Sequence, residues 1–228
     1  MVKEAVFGSQ FHTICSGGAY LNPDYIELFE RFGIQILQGY GMTECSPVIS
    51  TTVAWNVKKN SVGQLLPNCE AKTVDGELWV RGSSVMQGYY KMPEETKTAL
   101  KDGWLCTGDL GYVDEDRFIY LTGRKKNLII TKNGENVSPE ELENKLSSSR
   151  LVQEVLVREA KGVIEAEIYP DEEYAKKQGL EREEEVRVEL KKLIDEYNQG
   201  APAYKKIYSL IIREKEFEKT ASRKIKRY

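Results

Sequence analysis

Gly39-Tyr40-Gly41-Met42-Thr43-Glu44 places two glycines, a hydroxyl and a carboxylate directly after an apolar run at residues 34–38. Glycine lets backbone approach a ligand closely, a Thr hydroxyl donates to a phosphate oxygen, and a Glu carboxylate can hold Mg2+. Taken alone this is a common kind of glycine turn, so its surroundings decide the reading. Upstream, residues 11–16 read as a strand followed by Gly17-Gly18. Asn22-Pro23 then opens a helix, since Asn is a good N-cap and Pro suits the first helical position. Ile26, Phe29 and Phe32 mark one face of that helix, and Gly33 stops it. Strand, helix and strand in this order predict an α/β domain with a parallel sheet.

Downstream the character changes. Residues 51–122 alternate short β-prone runs with turn signals, such as 77–81 between Asp75-Gly76 and Gly82, and read as a small β-rich subdomain. Gly123-Arg124-Lys125-Lys126-Asn127 is a polar, basic break. Past it, residues 128–131 lead into Lys132-Asn133-Gly134, a strong hairpin signal. Ser138-Pro139-Glu140-Glu141 predicts a helix opened by a capping box, with Val137 and Leu142 as its staple. Residues 151–158, 163–169 and 207–212 read as strands. The helix at 182–198 carries Val186, Leu190, Leu193 and Tyr197 on one face, and Gly200 and Pro202 end it. The predicted fold is therefore α/β followed by α+β: residues 1–122 as part of a larger α/β domain, and residues 123–228 as a compact α+β domain.

Composition narrows the function classes. The 228 residues carry 33 Lys plus Arg against 36 Asp plus Glu, a net charge of −3, which gives nucleic acid no electrostatic handle. No apolar run approaches a membrane span, and residues 1–8 lack the apolar core of a secretory signal, so a cytoplasmic location is expected. Cys15, Cys45, Cys69 and Cys106 never form a close pair, which argues against a zinc site or redox dithiol. His12 is the one histidine and no motif surrounds it, so a Ser-His-Asp mechanism has no support. The last stretch, 213–228, holds seven basic and three acidic residues. Such a tail is ordinarily a solvated surface, although it also suits peripheral membrane contact.

The glycine turn has company. Gly76-Glu77-Leu78-Trp79-Val80-Arg81-Gly82 follows it, then Gly88-Tyr89-Tyr90, Asp102-Gly103-Trp104 and Thr107-Gly108-Asp109. Gly123-Arg124-Lys125-Lys126 and Asn133-Gly134-Glu135-Asn136-Val137 come next, and Lys219-Thr220-Ala221-Ser222-Arg223-Lys224-Ile225 closes the set. In this order they resemble the adenylate-forming superfamily of acyl-CoA synthetases, luciferases and peptide-synthetase adenylation domains. The resemblance runs from Ser16 to the last residues. It implies that Thr43 contacts the α-phosphate of ATP and that Glu44 helps bind Mg2+. Gly39, Tyr40 and Gly41 would frame the adenine. Asp109 would accept both ribose hydroxyls, a task that suits a carboxylate's two acceptor oxygens. Arg124 would also reach the ribose, and Lys126 would mark the hinge between domains. Gly134 and Glu135 would belong to the loop lining the coenzyme A channel, and Lys224 would be the catalytic lysine. Trp79, Trp104, Tyr89 and Tyr90 read as packing residues.

Two departures from the family pattern stand out. Many members carry Gly before the catalytic lysine, where this chain has Arg223, so the tail loop is expected to differ. The family's Ser/Thr/Gly-rich phosphate loop has no counterpart upstream of Gly39. The resemblance thus implies the C-terminal portion of a ligase that joins a fatty acid, in the long-chain style, to AMP and then to CoA. It also implies a chain unable to adenylate alone, with an exposed apolar face that promotes self-association. Two alternatives remain: an adenylate former that loads a carrier protein, and a non-catalytic nucleotide-binding module.

Overall fold

The computed structural model describes residues 2–221 and 223–227. Ser222, one residue of the tail motif, and the two terminal residues lie outside the described set. The chain divides into two compact units on either side of the Lys125–Lys126 bond.

The first unit begins with α1 (Val2–Phe7), β1 (Thr13–Gly17), α2 (Pro23–Arg31) and β2 (Gln35–Gly41). Strands β1 and β2 pair in parallel, from Thr13 opposite Gln35 to Gly17 opposite Gly39. A parallel pair needs a crossover, and α2 supplies it. Asn22 caps α2 through its side-chain oxygen, which accepts from the Asp24 amide at 2.9 Å. Helix α1 had no counterpart in the sequence reading. Next come β3 (Val48–Thr51) and β4 (Gln64–Leu65), which add antiparallel in the order β1-β2-β3-β4 and make this a mixed sheet.

A second, antiparallel sheet holds β5 (Cys69–Val74), β6 (Glu77–Gly82), β7 (Leu100–Lys101), β8 (Trp104–Val113) and β9 (Ile119–Arg124). Its order is β5-β6-β8-β7, with β9 also on β8, and α3 (Pro93–Ala99) precedes β7. At the β5–β6 turn Asp75 and Gly76 both take positive φ, 50° and 80°, as a two-residue hairpin loop requires. The β-rich region was expected to begin near residue 51. Instead β3 and β4 complete the first sheet, and the second begins at Cys69. One core joins both sheets, with Tyr40, Cys45, Ile49 and Leu65 against Cys69, Leu78, Val80, Leu105 and Ile119. Burial along β8 alternates, so Leu105, Thr107, Asp109 and Gly111 share its inward face.

The second unit opens with the hairpin of β10 (Ile129–Ile130) and β11 (Asn136–Val137), then α4 (Pro139–Leu146). A three-stranded sheet follows in the order β12 (Val152–Ala160), β13 (Val163–Pro170), β14 (Ile207–Ile212). Strand β14 runs parallel to β13, and the crossover carries α5 (Glu172–Lys177) and α6 (Glu183–Gly200). Val137, Leu142, Leu146, Val155, Val157, Ala166, Ile168 and Leu190 form its core. Helix α6 buries Val186, Leu190 and Ile194, an i, i+4, i+8 stripe, while Leu193 and Tyr197 of the expected face are partly buried. The capping box expected at Ser138 does not form. Ser138 donates instead to Glu140 at 2.9 Å, and Lys205 takes Glu141, the glutamate such a box would use, at 2.6 Å. Val137 and Leu142 are both fully buried in the positions of a staple. Among the described residues no helix is long and apolar enough to cross a membrane.

Candidate functional site

Strand β2 ends in the glycine turn, and Cys45 determines how the turn sits. Its fully buried side chain plugs the core, and burial, with Cys69 and Glu44 nearby, pushes its thiol up to about 12. The Met42 amide donates to the Pro47 carbonyl at 2.8 Å, closing a short helical turn over Thr43–Cys45. With Cys45 inward, Thr43 is exposed and Glu44 half-buried. The two glycines differ. A methyl on Gly41 would lie 2.0 Å from the Pro47 carbonyl oxygen, whereas one on Gly39 would meet only the Ser50 carbonyl oxygen at 3.8 Å. Packing alone therefore requires Gly41 and leaves Gly39 unexplained.

Three of the expected site residues meet at the edge of this unit's core. Tyr40 donates its hydroxyl to Asp109 Oδ2 at 2.7 Å, and Arg124 Nε pairs with Oδ1 at 2.6 Å. Arg124 reaches Asp109 because β8 and β9 place the two residues opposite each other. The Asp109 amide donates to Thr107 Oγ1 at 3.1 Å, and that hydroxyl donates to the Leu78 carbonyl at 2.7 Å. Tyr40 and Asp109 are 8% and 5% exposed, while the Arg124 side chain is 44% exposed. The arrangement is a fixed carboxylate with a cation on its open side. A carboxylate presents two acceptor oxygens side by side, the chemistry that a vicinal diol calls for. Burial, then the neighbouring Asp109 charge and hydrogen bond, push the Tyr40 phenol far above its ordinary range, which keeps it a donor. So little of the Tyr40 ring is exposed that its main contribution here is the hydroxyl.

Two residues with no role in the sequence reading belong to this surface. Tyr89, set aside there as packing, donates to Glu44 Oε1 at 2.8 Å, and the Met86 amide donates to the Glu44 carbonyl at 2.8 Å. One carboxylate oxygen of Glu44 is thus engaged. Glu77, 5% exposed, accepts from the Gly108 amide and from Lys125 Nζ, both at 2.9 Å. Burial raises its pKa, but Lys125 and the Gly108 amide outweigh that and hold the carboxyl below its ordinary value. A charged residue directly after a tight turn, ahead of the apolar run Leu78-Trp79-Val80, was the signal available for Glu77. Among the described residues no cluster of three or more His, Cys, Asp or Glu is placed to hold a metal. A Mg2+ that arrives on nucleotide phosphates needs only one or two carboxylates, and Glu44 fits that requirement.

The remaining expected residues lie in the second unit. Lys126 is exposed in a short helical turn, Lys125–Asn127. Gly134, with φ of 81°, and the exposed Glu135 form the β10–β11 tip. Thr131 ties that tip, accepting from the Gly134 amide at 2.9 Å and donating its own amide to the Glu135 carbonyl at 2.9 Å. Lys224 is exposed in a tail hairpin where the Thr220 amide donates to the Lys224 carbonyl at 2.8 Å. Arg223 has φ of 60°. It therefore holds the left-handed conformation that glycine would take more easily.

Comparison with known proteins bears on what this geometry serves. A family model described as AMP-binding enzyme matches residues 2–90, and one described as AMP-binding enzyme C-terminal domain matches residues 126–228. The chain belongs to the AMP-binding enzyme family. A long-chain-fatty-acid–CoA ligase of Mycobacterium bovis is 40% identical over 171 residues, covering 74% of this chain and 28% of that protein. The 4-coumarate–CoA ligase-like 4 of Oryza sativa is 42% identical over 165 residues, covering 65% of this chain and 30% of that protein. The chain thus spans less than a third of these AMP-binding relatives. Among solved structures, o-succinylbenzoate CoA synthetase of Bacillus subtilis with its acyl-adenylate intermediate has a TM-score of 0.78 and 29% identity. That match covers 93% of this chain and 44% of the synthetase. The same synthetase has been solved with ATP and a magnesium ion, with TM-score 0.75 at 29% identity, covering 94% of this chain and 45% of that one.

Proposed function

We propose that the chain forms the C-terminal part of an acyl-CoA synthetase that activates a fatty acid, of the long-chain class, with ATP and transfers the acyl group to CoA. The observation that carries this reading is the Tyr40–Asp109–Arg124 cluster, a buried, oriented carboxylate of the kind a ribose diol requires. Asp109 accepts the ribose hydroxyls and Arg124 adds a donor beside them. In this reading Gly39 lets the backbone approach the base, with Tyr40 and Gly41 continuing the frame. Thr43 donates to the α-phosphate from its exposed turn. Glu44 would hold a Mg2+ arriving with the nucleotide, and the ion would offset the charge of the phosphates.

In the first half-reaction a carboxylate oxygen of the acid bonds to the α-phosphorus, and the bond to pyrophosphate breaks. Attacker and target are both negative. Lys224, an ammonium on a long stem, neutralises them in the transition state. In the second half-reaction the CoA sulfur bonds to the acyl carbon, AMP leaves, and the thiol proton passes to solvent. Lys126 serves as the pivot between the two half-reactions, and the Gly134–Glu135 tip then lines the CoA channel. A fatty acid, ATP and CoA are the small-molecule partners in this reading, and its location is cytoplasmic. Exposed Tyr25, Leu28 and Phe32 on and after α2, which buries no residue, support self-association.

The identity of the acid is the finest part of the proposal, and the 4-coumarate–CoA ligase-like relative makes an aromatic acid its rival. Acid-dependent ATP–pyrophosphate exchange tests both. It is measured on the chain, and on the chain fused behind the N-terminal region of the Mycobacterium bovis long-chain-fatty-acid–CoA ligase. Exchange that needs a fatty acid and is lost in Glu44→Ala is the expected result. Exchange supported by coumarate alone would replace the acyl assignment, and exchange insensitive to Glu44→Ala would remove the site assignment. Consumption of free CoA distinguishes CoA from a carrier-protein acceptor.

A further inference from the structure

The basic tail has one assigned residue, Lys224, yet Arg213, Lys219 and Arg227 are each held by carboxylates of the domain. Arg213 donates to Glu167 at 2.5 Å. Lys219 pairs with Glu154 and, at 2.8 Å, with Glu216, while the Phe217 amide donates to Glu154 at 2.8 Å. Phe217 itself is 4% exposed. After the tip the chain returns antiparallel: Lys219 bridges Ile225, and the Lys226 amide donates to the Glu218 carbonyl at 2.8 Å. The segment carrying Lys224 is therefore a hairpin whose first arm is fixed on β12 through Glu154.

Arg227 fixes the second arm. Its guanidinium pairs closely with Glu143 on α4, lies 3.6 Å from Glu140, and donates to the Val157 carbonyl on β12 at 3.5 Å. Glu143 in turn accepts from the Val157 amide at 2.7 Å. These side chains are 28% and 13% exposed, so the pair is partly shielded from water. Glu140 also accepts from Asn127 at 2.5 Å and from Ser138 at 2.9 Å. One chain of polar contacts thus runs from the residue after Lys126 to the residue three beyond Lys224.

We propose that Arg227 is a positioning residue for Lys224: by clamping the distal arm of the tail hairpin to α4 and β12, it makes the lysine's carrier a rigid arm and joins that arm to the segment after Lys126. The inference rests on the reading of Lys224 as the lysine of the first half-reaction. A solvated basic tail would need none of these partners. A lysine that acts once per cycle gains from a fixed carrier, because less orientational freedom is lost at the transition state.

The test is hydrogen exchange on the full chain for wild type, Arg227→Met, Glu143→Gln and the exposed-surface control Lys191→Met. Glu143→Gln retains the side chain's volume and an acceptor for Val157, which guards against a folding failure in Arg227→Met. Exchange at the Thr220 and Lys226 amides should quicken about ten-fold in both clamp variants, the loss expected for a charge-assisted pair, and stay unchanged in the control. Unchanged protection in both clamp variants overturns the clamp. Kinetics then use whichever wild-type form carries pyrophosphate exchange. The clamp variants should lose exchange about ten-fold with KM for ATP unchanged, while thioester formation from supplied acyl-adenylate keeps its rate. An equal fall in both half-reactions makes Arg227 merely structural and overturns the proposal. Absence of exchange in every wild-type form counts against the proposed function, while the amide protection still decides the clamp.

Discussion

Replacing Tyr40 with Phe removes one oxygen from the centre of the nucleotide site and leaves the ring in place. The hydroxyl donates to Asp109 at 2.7 Å, and both residues are almost fully buried. Hydrogen bonds to a charged group contribute about 1.5–3 kcal/mol, and a buried acceptor deprived of its donor sits toward the upper part of that range. Asp109 keeps Arg124 on its other oxygen, but that cation is 44% exposed and its attraction is partly screened. We expect a destabilisation of about 2 kcal/mol for the unit, which for this size corresponds to roughly 6–10 °C in Tm. Urea unfolding of wild type, Tyr40→Phe, Asp109→Asn and the double variant measures it. The two single changes should be non-additive by at least about 1 kcal/mol, since one removes the donor and the other the charge of the same charge-assisted bond. Additivity, or a Tyr40→Phe effect under about 0.5 kcal/mol, would show that the hydroxyl does not hold Asp109 and would remove the basis for a pre-oriented ribose acceptor.

Glu77 gives a pH prediction. Its folded-state carboxyl lies below the unfolded value of 4.5, so its stabilisation is present above about pH 4.5 and is lost as pH falls through the lower, folded value. Denaturation curves of wild type and Glu77→Gln should therefore converge as pH drops from about 6 to below 4; a constant gap would refute the assignment. Gly41→Ala should cost about 1–3 kcal/mol through its clash with Pro47, whereas Gly39→Ala should leave the melting curve within about 0.5 kcal/mol. If Gly39→Ala also weakens AMP binding in calorimetry, Gly39 serves the ligand; unchanged binding would end that role. Arg223→Gly should relieve a left-handed strain of about 1–2 kcal/mol, offset by about 0.5–1 kcal/mol of added chain entropy, and slow exchange at the tail hairpin modestly. Faster exchange there would mean that the Arg223 side chain, not its backbone, matters.

What the sequence could reveal followed the range of the forces involved. The Asp75-Gly76 and Asn133-Gly134 hairpins and the Asn22-Pro23 helix start were legible because the backbone conformation and the residue that permits it are neighbours. The parallel β1–β2 pair was legible because α2 leaves few alternatives. The Ser138 capping box was misread for the converse reason. Lys205 takes Glu141 from far along the chain, and Ser138 turns to Glu140, which Asn127 and Arg227 also engage. Asp109 shows the same limit at the candidate site. Its alternation with Thr107 along β8 is local, but its donor Tyr40 lies 69 positions away on another sheet. No spacing rule reaches across that gap; only the shared core beneath both sheets brings the phenol to the carboxylate. The glycines divide likewise. Both stand in one motif, yet Gly41 answers to Pro47 within the fold while no neighbour accounts for Gly39. A motif residue that packing does not explain is the better candidate for contact with a ligand, and by that measure Gly39 outranks Gly41.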